Sequence, residues 1–403
     1  MVRGKLLALA LLGGMLLAAC SGGHPSPGRP SGGNPAPAAA PAVPPASFYQ
    51  VPDPLPAGRP GALIRVTPIA GLSGSTDSRA WAILYHSRDF DGHDVAVSGV
   101  VVAPLGAAPA QGRPVLVWAH GSVGLADRCA PSHSGVVGAP SSWLGGLVLQ
   151  DMVVAATDYQ GLGTPGPTRS LIGLSAGRAV LDVARAARRL DAAGASGRVV
   201  LAGHSEGGHA VLWAAELARS YAPELQVLGV AATAPGAELA TTLKLSRFRP
   251  AAITSGAMLI VAAWSDAYRV PPEEVLTPAG RRALDRVRST CLEELASDPA
   301  TPVVRPSDLL ATRPWPGLLA RNTPGHAATP APILIGQGTD DEVVVPAATR
   351  ALVQRLCHAG DTVELRSYRG AGHFDIPEVA SADLIGWTGD RLAGRRPRSS
   401  CQP

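Results

Sequence analysis

The stretch that most constrains this chain is Gly203-His204-Ser205-Glu206-Gly207-Gly208, because of what flanks it. The apolar run Arg198-Val199-Val200-Leu201-Ala202 precedes it, and a segment with helical spacing, His209 to Tyr221, follows. Strand, sharp turn and helix in that order, with glycines around a serine, make a G-x-S-x-G elbow. The glycines let strand and helix pass closely, and the turn lifts the serine hydroxyl above the sheet edge. A chain with 46 Gly in 403 residues repeats such a pattern by chance, and this one does so at Gly173-Leu174-Ser175-Ala176-Gly177. There the preceding residues are Pro165-Gly166-Pro167-Thr168-Arg169-Ser170, which no buried strand tolerates, because proline removes ladder donors. Ser175 is therefore expected at the start of a helix, and Ser205 at the elbow as a nucleophile.

At the N-terminus, Arg3 and Lys5 lead into the apolar stretch Leu6 to Ala19, which ends at Cys20. It is short for a membrane span and suits an export signal. Leu17-Ala18-Ala19-Cys20 also resembles a bacterial lipobox, in which the cysteine becomes the acylated first residue. The expectation is a lipoprotein signal peptide at 1–19, lipidation of Cys20 and attachment to the cell membrane, with free secretion as the alternative. Residues 20–60 are rich in Pro, Gly, Ser and Ala and are expected to be a disordered tether. That leaves one domain over 61–395 and a tail over 396–403. With 35 Lys plus Arg against 31 Asp plus Glu and no sustained basic stripe, nucleic acid is not an expected partner. Apart from Cys20, the exported part carries Cys129, Cys291, Cys357 and Cys401, an even set that reads as two disulfides with three possible pairings. No C-x-x-C or H-E-x-x-H spacing points to zinc.

Along the domain, Ala80 to Tyr85 and Val95 to Val102 surround the polar turn Asp89 to Asp94 and predict an antiparallel hairpin or meander. Pro114-Val115-Leu116-Val117-Trp118 is continuously apolar, as a central strand covered on both faces must be, and it ends at His120-Gly121-Ser122. A strand at Met152 to Ala156, a helix over Ser170 to Leu190, the elbow strand and helix, and a strand from Gln226 to Ala232 follow in turn. This alternation predicts an α/β fold of the α/β-hydrolase kind, a mostly parallel central sheet with helices on both faces. It lapses between about 236 and 330, where the runs Ala251 to Trp264 and Thr277 to Leu295 predict a helical cap over the strand ends, walling an acyl pocket. Strands at Pro332 to Ile335 and Thr362 to Tyr368 resume the sheet.

Such folds place nucleophile, acid and histidine in that chain order. Beyond the adjacent Asp340 and Asp341 lie only His358 and His373. His358 closes a helical run, where a cation complements the helix dipole. His373 sits in a glycine-rich loop after the last strand, free to reach Ser205, and is the expected base. Asp341 is the favoured acid and Asp340 the alternative. The amides of Ser122, with Gly121 close behind, and of Glu206 are the expected oxyanion donors. His204 and His209, beside the elbow, are expected to be structural. These roles describe acyl transfer from an ester through an acyl-enzyme, with no cofactor. A serine peptidase, an acyltransferase or a non-catalytic binding protein on the same fold are the alternatives.

His120-Gly121, Cys129-Ala130-Pro131-Ser132, Asp158-Tyr159-Gln160-Gly161-Leu162-Gly163, the elbow, and Gly338-Thr339-Asp340-Asp341-Glu342 together resemble the secretory lipase family. The resemblance implies an α/β-hydrolase fold with a helical cap and hydrolysis of triacylglycerols or other acyl esters. It also favours Asp341 as the acid and implies the pairs Cys129 with Cys291 and Cys357 with Cys401.

Overall fold

The computed structural model describes residues 43–70, 78–135, 146–148, 150–246, 250–296 and 304–401. The expected signal peptide, Cys20 and the first part of the expected tether lie outside the described residues. Nine strands form one sheet: β1 (Leu63–Ile69), β2 (Ser78–Arg88), β3 (Asp94–Pro104), β4 (Arg113–Ala119), β5 (Val153–Thr157), β6 (Ala195–His204), β7 (Gln226–Thr233), β8 (Ile333–Gly338) and β9 (Val363–Tyr368). Their order is β1-β2-β3-β5-β4-β6-β7-β8-β9. β1, β2 and β3 pair antiparallel in succession, β3 meets β5 antiparallel, and every pairing from β5 across to β9 is parallel. The chain leaves β4 for β5 on one side and later returns to β6 on the other. Such a reversal opens a crevice at the carboxyl ends of the central strands, where Ala119 and Gly203 are register partners.

The apolar runs are continuous because alternate residues feed two different cores. In β4, Val115, Val117 and Ala119 join one cluster with Val199, Leu201, Val180 and Val211. Its Leu116 and Trp118 join the other, with Val154, Val200, Ile376 and Trp387. The first core holds the helix Gly173–Arg189 and the elbow helix Glu206–Tyr221; the second holds the C-terminal helix Ser381–Leu392. Ser175 lies buried in the first of these helices. The second G-x-S-x-G is thus a packing device: a Cβ on Gly173 would overlap the Trp213 indole, and one on Gly177 would lie 2.9 Å from Ala214 N.

Two features depart from expectation. The edge strand β1 has no counterpart in the reading from sequence, where Arg65, Thr67 and Pro68 dilute its apolar pattern; an edge strand tolerates that proline. The described end of the expected tether, 43–60, also differs, because Ala46–Tyr49 forms a 3-10 turn with Phe48 and Tyr49 buried. The Tyr49 hydroxyl bonds Ser132 Oγ at 2.9 Å, its ring stacks on His133, and Arg65 donates to the carbonyls of Phe48 and Gln50. Two adjacent aromatics bury what the average composition of that segment conceals.

Between β7 and β8, helices at Leu239–Ser246, Pro250–Tyr268, Pro278–Arg288, Leu292–Ala296, Pro306–Ala311 and Trp315–Arg321 replace the β-α alternation. They have their own core, including Trp264, Val275, Leu309 and Trp315, and it takes in Leu125, Leu171 and Ile172 from the loops at the strand ends. Trp264 Nε1 donates to Ser170 O at 3.1 Å, and Leu292 N donates to Val123 O at 2.8 Å. Cys129 is bonded to Cys291 and Cys357 to Cys401, the pairing implied by the family resemblance. No helix among the described residues is long and apolar enough to cross a membrane.

The burial of Phe48 sets a stability expectation. Phe48→Ala should cost about 3 kcal/mol of unfolding free energy in urea, the usual loss for a buried aromatic. A loss below about 1 kcal/mol would show that this turn contributes little to the domain.

Candidate active site

Ser205 follows β6 and caps the elbow helix at φ 55° and ψ −114°, the left-handed side of backbone space, which costs of order 1–3 kcal/mol for a non-glycine residue. Neighbours hold it there. Ser205 N donates to Thr233 O at 3.0 Å, and Ser205 O accepts from His209 N at 3.1 Å and Gly236 N at 2.9 Å. The flanking glycines permit the approach: a Cβ on Gly203 would strike the Gly207 carbonyl, and one on Gly207 the Ala119 carbonyl.

His373 Nε2 lies 2.9 Å from Ser205 Oγ, and His373 Nδ1 lies 2.9 Å from Asp341 Oδ2. A carboxylate at Nδ1 selects the tautomer with its proton there, leaving Nε2 to accept from the serine hydroxyl. Asp341 is 3% exposed, and its Oδ1 accepts from Val343 N at 2.9 Å and Val344 N at 2.8 Å, so the turn after β8 aims it. Asp340 faces outward and accepts from Thr339 Oγ1 at 2.8 Å. His358 lies on the exposed last turn of the helix Pro346–Ala359, where Nδ1 lies 2.7 Å from Gln354 O. Of the two candidate acids and two candidate histidines, Asp341 and His373 are the pair brought to Ser205.

Gly121 lies beside the elbow, since a Cβ there would sit 3.4 Å from Ser205 Cβ. Ser122 Oγ donates to Glu206 Oε2 at 2.6 Å, and Glu206 Oε1 accepts from Leu171 N at 2.9 Å. Sequence reasoning assigned Glu206 only its amide; its carboxylate contacts depend on residues 84 and 35 positions away and leave no local signal. Gln337 was likewise missed, although its Nε2 bridges Val344 O and Asp341 Oδ2. Asp158 and Tyr159 organise the surroundings. The buried Asp158 carboxylate accepts from Ser98 Oγ and from the Ser132 amide and hydroxyl, and Tyr159 donates to His120 O at 2.8 Å.

His204 packs against His373 with ring centroids 4.8 Å apart. Burial, reinforced by the neighbouring His373, pushes its pKa down to about 3, although its hydrogen bond to the Thr233 carbonyl opposes the shift. His209 is fully buried, with Nε2 2.7 Å from Asn322 O, and burial brings its pKa down to about 4. Both rings are neutral near pH 7. A cavity of about 520 Å³ lies between residues 125–128, 166–168 and the cap residues Ala263, Asp266, Arg288 and Ser289. Neither Ser205 nor His373 lines it.

A mostly parallel sheet whose strand, strained serine and helix meet at the crossover crevice defines an α/β-hydrolase. The family model for secretory lipases matches residues 132–400. The chain belongs to the secretory lipase family and is a carboxylic ester hydrolase. Among relatives, it is 27% identical over 383 residues to a secreted triacylglycerol lipase of Malassezia globosa, covering 88% of this chain and 82% of that one. It is 25% identical over 335 residues to a probable inactive lipase of Mycobacterium tuberculosis, covering 78% and 74% of the two chains. Among solved structures, the closed state of Candida antarctica lipase A superposes with a TM-score of 0.76 at 21% identity over 89% of each chain. A rice cell wall degrading esterase of Xanthomonas oryzae gives 0.67 at 19% identity over 84% of this chain and 100% of that one. Secreted relatives support export of this chain.

The buried histidines make stability pH-dependent. Below the ordinary pKa of 6.5 the unfolded chain takes up protons at His204 and His209, while the folded chain refuses one at His209 until about pH 4. Stability therefore rises with pH across that window. In His209→Gln, which keeps a donor for Asn322 O, urea unfolding should show a shallower dependence between about pH 4 and 6.5. An unchanged slope would contradict the assignment of His209 as neutral and buried.

Proposed function

We propose that this protein is an exported serine hydrolase of acyl esters, triacylglycerols among them, held at the cell membrane by a lipid on Cys20. Ser205 attacks the ester carbonyl while His373 takes its proton at Nε2. Asp341 steadies the imidazolium, and the amides of Ser122 and Glu206 hold the oxyanion. His373 then returns the proton to the departing alcohol, and water releases the acyl group by the reverse sequence. The observation that carries this reading is the continuous hydrogen-bond chain from Ser205 Oγ through His373 to the buried Asp341, at 2.9 Å in each step. It favours catalysis over a binding role, even though one relative is described as a probable inactive lipase. Kinship with a secreted triacylglycerol lipase favours esters over peptide amides.

Fluorophosphonate labelling of the purified protein should give one adduct, on Ser205. Across a panel of p-nitrophenyl esters and peptide amides, wild type should cleave the esters, and Ser205→Ala should lose on the order of 10³-fold or more in kcat. Labelling that survives Ser205→Ala, or preferential amide cleavage, would overturn the assignment. Separately, mass spectrometry of the mature N-terminus should find acyl groups on Cys20, and Cys20→Ala should release the protein from membranes. Unchanged attachment in that variant, or a mature N-terminus without acyl groups, would overturn the lipid anchor on Cys20.

A further inference from the structure

We propose that the carboxylate of Glu206 is a positioning residue that clamps the two oxyanion donors into one site. The proposal rests on the reading that the amides of Ser122 and Glu206 receive the oxyanion. The carboxylate joins three segments that reach the crevice separately: Ser122 after β4, Leu171 ahead of the helix Gly173–Arg189, and the first turn of the elbow helix, to which Glu206 itself belongs. Glu206 is only 6% exposed. A carboxylate at that depth is costly unless its oxygens are satisfied. Here Oε2 accepts from the Ser122 hydroxyl at 2.6 Å and Oε1 accepts from the Leu171 amide at 2.9 Å. The N-terminal end of the elbow helix favours the same negative charge.

One residue thus takes part twice. Its backbone N–H, at the first position of the elbow helix, is one of those that the helix itself leaves unbonded. Its side chain holds the residue that supplies the other donor. An O–H to carboxylate bond is short and strong enough to fix that loop. Oxyanion stabilisation depends on donors already standing where charge will develop, so a loop that drifts loses rate rather than substrate binding. The Leu171 contact extends the clamp outward: Leu171 is held at φ 55°, and its side chain belongs to the cap core. Seating of the cap and spacing of the donors are linked through one side chain.

The test compares wild type with Ser122→Ala, Ser122→Thr, Glu206→Ala and the Ser122→Ala/Glu206→Ala double variant in the full-length protein. Each is assayed for kcat and KM on a p-nitrophenyl ester and for affinity toward a trifluoromethyl ketone, whose hemiketal carries the oxyanion. Ser122→Ala should lower kcat and ketone affinity together by about 10- to 100-fold, with KM within about threefold. Ser122→Thr, which restores the hydroxyl, should recover most of the loss, and the double variant should be little worse than Glu206→Ala. Thermal unfolding identifies a misfolded Glu206→Ala, in which case the Ser122→Ala and Ser122→Thr pair decides. Wild-type kcat in Ser122→Ala, a loss that threonine fails to restore, or losses that multiply in the double variant would each overturn the clamp. Any of these outcomes with Ser205→Ala inactive removes the clamp alone, whereas an active Ser205→Ala removes the underlying reading.

Discussion

The strained backbone at Ser205 is the constraint on which the rest of this structure depends. A serine at φ 55° is retained only where the surroundings leave it no alternative, and here they come from three directions. The Thr233 carbonyl at the end of β7 takes its N–H, the Gly236 and His209 amides take its carbonyl, and the Ala119 carbonyl at the end of β4 leaves no room for a Cβ at Gly207. The order of the sheet follows from this need, because β6 must lie between β4 and β7 for all three to meet at one turn.

The second tier is polar and buried. Asp158, Glu206 and Asp341 are carboxylates with little access to water, and each accepts at least two hydrogen bonds, so their charge is distributed into backbone and hydroxyl donors. Each joins segments distant in the chain at the crevice. Asp158 holds the loop carrying Ser132, which in turn bonds Tyr49; Glu206 holds Ser122 and Leu171; Asp341 holds His373. Buried polar groups that are fully satisfied specify geometry more than they add stability, and geometry is what acyl transfer requires.

What the sequence made legible follows the range of the forces involved. The elbow is a local device of five residues and a strand, and the apolar runs of β4 to β8 are long enough to show both faces buried. β1 was not legible because an edge strand buries too little to enforce a pattern, and Phe48 and Tyr49 were hidden in a stretch whose other residues are small or polar. The sequence favoured Asp341 but kept Asp340 as the alternative, since their difference is one of direction: the amides of Val343 and Val344 draw one carboxylate inward. The partners of Glu206 were beyond reach for a similar reason, because a contact across 84 residues has no periodicity.

The two disulfides divide the chain in a way that the fold conceals. One closes a covalent ring from Cys129 to Cys291 that contains Ser205, and the other a ring from Cys357 to Cys401 that contains His373. Asp341 lies in the open stretch between them. A single backbone cut inside either ring leaves one covalent molecule. A cut between 291 and 357 yields two pieces, with the serine on one and the histidine on the other, joined by non-covalent contacts alone. The segment that carries the aspartate is therefore the only covalent link between the two halves of the site.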